Sequence, residues 1–168
     1  MKEITTLKDL MVFHLLSLYD AELQWSEALK EISGTMAAKD LKKIFKSSGI
    51  KASTHVQKLK DIFMQTQIST LSKKNVVAKD LVKEMNDLQN SAADPEVLHA
   101  GQIVIHQCMS HYMIAKYGTV ASYARLLLQE HIASALHEIM EEEKEIDEEL
   151  SRLAEEKINA KAKTALIV

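Results

Sequence analysis

A chain of 168 residues with a formal net charge of -3 offers no general attraction to nucleic acid and no basic patch for an anionic membrane. Its 46% hydrophobic and 27% charged content is that of one globular domain with a sizeable core, not of a disordered chain. Four glycines, one proline and a single cysteine, Cys108, argue against a turn-rich sheet protein, exclude an internal disulfide, and point to long helices in a reducing compartment.

The first helix is expected to begin near Thr6, with Asp9 forming a capping-box-like pair, and to stop near Gly34. Its stripe of Leu7, Met11, His14, Leu18, Glu22, Trp25, Leu29 and Ile32 advances by threes and fours, so all eight share one face. Glu22 therefore points where a hydrophobe belongs, which is costly unless something opposite compensates it. A second helix is expected over residues 37–67, with the stripe Leu41, Ile44/Phe45, Ser48, Ala52, His55, Leu59, Ile62 and Thr66; Gly49 costs it some helicity. Residues 69–75 read as a polar loop, and Val77, Leu81, Met85 and Leu88 as the apolar face of a short helix.

Asp94-Pro95 is a strong helix start, an N-cap followed by proline at the first helical position. The third long helix runs from Pro95 towards Tyr117, with His99, Ile103, His106, Ser110, Met113 and Tyr117 facing inward and His111 on a neighbouring face; Gly118 is expected to kink or end it, before a short extension at Tyr123, Leu126 and Leu127. The last long helix starts near Glu130, with the stripe Ile132, Leu136, Ile139, Glu143, Ile146, Leu150 and Leu153 and with Asp147 one turn beyond Glu143. Residues 161–168 are expected to form a tail, frayed or docked on a partner. Glu3, Asp9 and His14 interrupt any signal-peptide-like run, and no stretch of about 18 apolar residues occurs, so a cytoplasmic protein is expected.

Two long hairpins joined by a connection with its own short helix make an all-α, ferritin-like four-helix bundle with a long crossover, here one domain over residues 1–160. Glu22 and His55 then lie within about two turns of the same depth. Glu22, His55 and Glu143 converge on the bundle centre as candidate metal ligands, with Asp147, His111 and His106 as auxiliary ones. The metal-free alternative is that protonated His55 pairs with Glu22 or Glu143. Tyr112 and Tyr117 can donate to these acids. His14 reads as a hydrogen-bonded core histidine, His99, His131 and His137 as partly exposed, Glu141 and Glu142 as a solvated face, and Cys108 as an inert buried thiol.

Four stretches, LKDLMVFHLLSLYDAELQ (7–24), THVQKL (54–59), SHYMIAKYGTVASYARLL (110–127) and MEEEKEIDEEL (140–150), are similar to the YciE/YciF family of ferritin-like bacterial stress proteins, HYMIAKYGT being the most specific. The resemblance covers nearly the whole chain. It implies a ferritin-like bundle, homodimers, expression under stress and no established activity. Its first-helix acid corresponds to Glu22, its second-helix imidazole to His55 and its last-helix acids to Glu143 and Asp147. Ala52, Ser110 and Met113 stand where the family's other acids belong, around a retained His111.

Two divalent ions bring four positive charges, which such bundles balance with about four carboxylates and two histidines. Glu22 and Glu143, with or without Asp147, fall short, and neither methionine nor serine replaces a carboxylate for a hard ion. The expectation is therefore a stress-associated protein of structural or protective role. Its di-iron centre is lost or reduced to one iron, manganese or zinc ion, and the missing acids favour the metal-free network. The alternatives are a metal-dependent oxidase or iron-binding protein with a rearranged site, and a partner-binding module using the apolar tail from Ala165 and the crossover helix. No nucleophile-base pair, phosphate loop or cofactor fingerprint supports hydrolase or nucleotide chemistry.

Overall fold

The computed structural model describes residues 3–69 and 73–164; the middle of the 69–75 loop and the apolar end of the tail lie outside the described residues. Six helices follow in order: α1 (Leu7–Thr35), α2 (Lys39–Thr66), α3 (Val76–Ser91), α4 (Pro95–Leu126), α5 (Glu130–Leu153) and, after a π-helical turn at Ala154–Ile158, α6 (Asn159–Thr164). Among the described residues there is no strand, and no helix is long and apolar enough to cross a membrane.

The helix starts follow from local chemistry. The Thr6 hydroxyl accepts the Asp9 N–H while the Asp9 carboxylate accepts the Thr6 N–H, a complete capping box. Asp94 accepts the N–H groups of Glu96 and Val97, with Pro95 at the first helical position. The short α1–α2 and α4–α5 links make two antiparallel hairpins. Cross-helix pairs give their register: Glu22 with His55 between α1 and α2, Ser110 with Glu143 between α4 and α5, Trp25 with His106 between α1 and α4, and Lys51 with Glu145 between α2 and α5. The crossover brings α4 back antiparallel to α1 and parallel to α2, the ferritin-like arrangement.

Inside, Trp25, Tyr117, Phe45, Phe63 and a layer of leucines and methionines are fully buried. The crossover is pinned by a polar knot. Asp20, 4% exposed, accepts the Asn75 N–H at 2.7 Å, and the Asn75 amide donates to the Ser17 carbonyl and the Tyr112 hydroxyl while its oxygen caps α3. This fixes the start of α3 against α1 and α4.

Five expectations need correction. Gly118 neither kinks nor ends its helix: α4 continues to Leu126, and a Cβ at Gly118 would lie 3.0 Å from Met140 Sδ. The glycine lets α5 approach closely. On α3 the buried contacts come from Ala78 and Met85, while Val77 is 45% exposed. His99 is buried rather than partly exposed, and Cys108 is exposed rather than buried. The segment from Lys161 to Thr164 is helical, packed with the π turn against α4.

Both α2 and α4 end in a left-handed residue closed by paired backbone bonds, with Gln67 at φ 54° and Leu128 at φ 59°. Neither is glycine. Leu128 is 88% exposed, so its side chain gains little from packing while its backbone bears the left-handed cost. Leu128→Gly is therefore expected to stabilise the fold by about 0.5–1 kcal/mol, net of glycine's greater unfolded-state entropy, read as a higher urea midpoint with unchanged slope.

Candidate metal centre

Each of the four long helices delivers a polar side chain to one depth of the core. His55 of α2 is wholly buried. Its Nδ1 lies 3.0 Å from Glu22 Oε1 of α1 and 3.8 Å from Glu143 Oε1 of α5. From α4, the Tyr117 hydroxyl donates to Glu22 Oε1 at 2.7 Å and the Ser110 hydroxyl donates to Glu143 Oε2 at 2.9 Å. Among the described residues, Glu22, His55 and Glu143 are the one group of three whose ligand atoms all lie within 4.8 Å of one another.

The electrostatics describe a site with negative charge to spare. Burial alone lowers the His55 pKa, but the hydrogen bond and charge of Glu22, with Glu143 and Glu142, outweigh it and raise it. Burial, reinforced by the Glu22 charge, pushes Glu143 up to about 7 against the opposing pull of His55 and Ser110. Burial and the same carboxylates raise the Tyr117 hydroxyl, which stays protonated as a donor. Among the described residues Glu22 Oε2 has no hydrogen-bond partner. Protons on His55 and Glu143 thus hold the place that a cation can take.

The donor set of the cluster has the composition of a one-ion site. Two carboxylates and an imidazole suit a single divalent ion of the iron, manganese or zinc kind. With Nδ1 as ligand, the other ring nitrogen, Nε2, would donate to Glu142 Oε2, which lies 3.1 Å away, the arrangement that orients metal-binding histidines. Glu142 is held in turn by Lys58 at 3.0 Å. For a second ion Ala52, Ser110 and Met113, buried at 2%, 0% and 0% exposure, supply no carboxylate.

The three auxiliary residues lie outside the centre. Asp147 spends one oxygen on Gln107 at 3.0 Å and the other on His111 at 3.3 Å. The His111 side chain is 68% exposed, on the outer side of α4. His106 is fully buried but touches the Trp25 and Phe45 ring edges rather than the acids, and burial lowers its pKa to about 3. His14 is half-buried and receives a hydrogen bond from Lys116 at 2.8 Å. The Glu142–Lys58 pair is missing from the sequence-based expectation. Its one signal is that Lys58 follows His55 by one turn, on the side that faces α5.

Residues 6–163 match the model of a family described as Domain of unknown function (DUF892). A curated relative, Protein YciF of Escherichia coli (strain K12), is 29% identical over 158 residues, spanning 94% of this chain and 95% of the relative. Of solved structures, that of the E. coli stress protein YciF superimposes with a TM-score of 0.86 at 26% identity, over 93% of this chain and 99% of that one. YcfI from Rhodopseudomonas palustris superimposes with a TM-score of 0.85 at 27% identity, over 89% of this chain and 96% of that one.

Two outcomes follow from the charge balance. His55→Leu leaves two buried carboxylates without their cation and is expected to destabilise the fold by about 3–5 kcal/mol in urea denaturation. The second concerns pH. Folded Glu143 keeps its proton to about pH 7, whereas the ordinary value is 4.5. Between those values the folded state binds more protons, so the contribution of Glu143 to stability is complete at low pH and lost as pH rises through the window. Glu143→Gln is expected to gain on the wild type by on the order of 3 kcal/mol between the two ends of that window, measured by paired denaturation curves.

Proposed function

The chain belongs to the DUF892 family, and we propose that it is a stress-associated, ferritin-like protein whose di-iron centre has been reduced to one cation position, held by protons when no ion is bound. The observation that carries this reading is the buried Glu22–His55–Glu143 cluster, complete as a set of three ligands and bordered by Ala52, Ser110 and Met113 instead of further acids. Its similarity to E. coli YciF, described with its solved structure as a stress protein, supports the physiological half of the proposal.

In this reading Glu22 Oε1, His55 Nδ1 and a Glu143 oxygen hold the ion, Glu142 orients the imidazole, and Tyr117 and Ser110 fix the two carboxylates by donating to them. A bound ion would supply local positive charge in a buried site, relieving the mutual repulsion of the acids. One ion with three protein ligands and no carboxylate bridge gives no basis for the paired-iron oxidation of ferritin-like enzymes. The role is then structural or protective. A homodimer is part of the same proposal. Val97, Val104 and Cys108 form an exposed stripe on α4 that a second copy would cover, and light scattering would report it.

The test is elemental analysis after loading with Fe(II), Mn(II) or Zn(II) and removal of excess metal. At most one ion per chain is expected, with release of protons on binding that grows as pH falls below 7, measured calorimetrically in buffers of different ionisation enthalpy. Fe(II) oxidation in air is expected to be no faster with the wild type than with Glu143→Ala. Two tightly held ions per chain, or oxidation abolished by that substitution, would overturn the reading. Ala52→Glu combined with Met113→Glu is expected to restore uptake of a second ion.

A further inference from the structure

Glu96, His99, Gln102 and His106 stand on one face of α4, which continues through Ser110 to the Glu143 carboxylate. Their steps of three and four residues set neighbours about 4.5–6 Å apart along the helix axis. Each carries a buried polar atom with no hydrogen-bond partner among the described residues: Glu96 Oε2, His99 Nδ1, Gln102 Oε1 and both ring nitrogens of His106. The first two face each other as an ion pair 3.8 Å apart. Glu22 Oε2, at the centre, is another. The remaining one, Gln129 Oε1, belongs to the far end of the bundle.

The track has two defined ends. At the outer end Glu96 and His99 line a cavity of about 390 Å³ together with Ala38, Asp40, Lys157 and Lys161. At the inner end His106 meets Trp25 edge-on at 5.3 Å between ring centroids, and Trp25 lies three residues, or one turn, from Glu22 on α1. On the α2–α5 side the centre is closed differently, because His55 Nε2 and Lys58 both bond to Glu142.

A buried polar group without a partner is costly, and a row of them on one face would consume much of a domain's marginal stability. Two hydrogen bonds through one water span about 5.6 Å, close to the rise between successive residues of this face from His99 inward. Water making two or three bonds satisfies such groups at small cost. His106, neutral through burial, has one donating and one accepting nitrogen and so passes a hydrogen-bond chain onward.

We infer that this face of α4 carries a file of bound water from the Glu96–His99 cavity to Glu22 and Glu143, and that the file is the route by which water and protons reach the buried centre. The inference holds whether or not an ion binds there. It is tested by comparing the wild type with the Gln102→Leu/His106→Leu double variant, both without added metal. Oxygen-17 relaxation dispersion is expected to count several long-lived internal waters in the wild type and fewer in the variant. Exchange of the Tyr117 hydroxyl proton with solvent, followed by NMR, is expected to slow by roughly ten-fold or more when the file is interrupted. An equal water count, or unchanged Tyr117 exchange, would overturn the inference. Should the double variant fail to fold, high-resolution crystals of the wild type decide it. A string of water peaks along α4 supports the route, and a dry gap between Gln102 and Ser110 refutes it.

Discussion

A carboxylate enclosed by four helices is the constraint around which this bundle is arranged. Glu22 is wholly buried, and its charge is tolerable only because His55 of α2 and Tyr117 of α4 both approach the same oxygen. Glu143 of α5 enters the same space and is pushed towards its neutral form as a result. The centre is therefore a shared account of protons among four helices. Removing any one cationic or donating partner leaves the others in surroundings that cannot solvate them.

That constraint fixes register. Apolar stripes alone tolerate a slide of one helix past another, since leucine packs against leucine at many depths. A glutamate that must meet an imidazole does not, and neither does a serine that must meet a second glutamate. The Asp20–Asn75 knot adds a second fixed point where the crossover begins. Between them, the two polar clusters specify which of several near-equivalent bundle packings the chain adopts.

The architecture was legible because long helices write their period into the sequence. The Thr6–Asp9 box, the Asp94-Pro95 start and the threes and fours of Glu22, His55 and Glu143 all needed only local rules. Legibility failed where a neighbouring helix decides the outcome. Gly118 reads locally as a breaker, and only Met140 opposite makes it a contact point. Asp147 shares the nominal face of Glu143, yet at its depth α4 presents Gln107 and the Asp147 carboxylate turns to it. Glu142 stands about 100° round the helix from Glu143, between interior and solvent. Which way such a residue reaches depends on His55 and Lys58 of another element.

The widened turn at Ala154–Ile158 also bears on how the chain tolerates change in length. Leu150, Ala154 and Ile158 are all buried at steps of four, and in an α-helix two such steps drift about 80° off line. The π turn absorbs this drift, as a one-residue insertion would. Within it Lys157 reaches Asp40 at the start of α2, and beyond it the rephased helix sends Lys161 towards Glu96 at the start of α4. Insertions and deletions near the carboxy terminus can thus be taken up at this joint, leaving the phase of α5 at Glu143 untouched. The end of the chain is free to diverge while the interior stays in step.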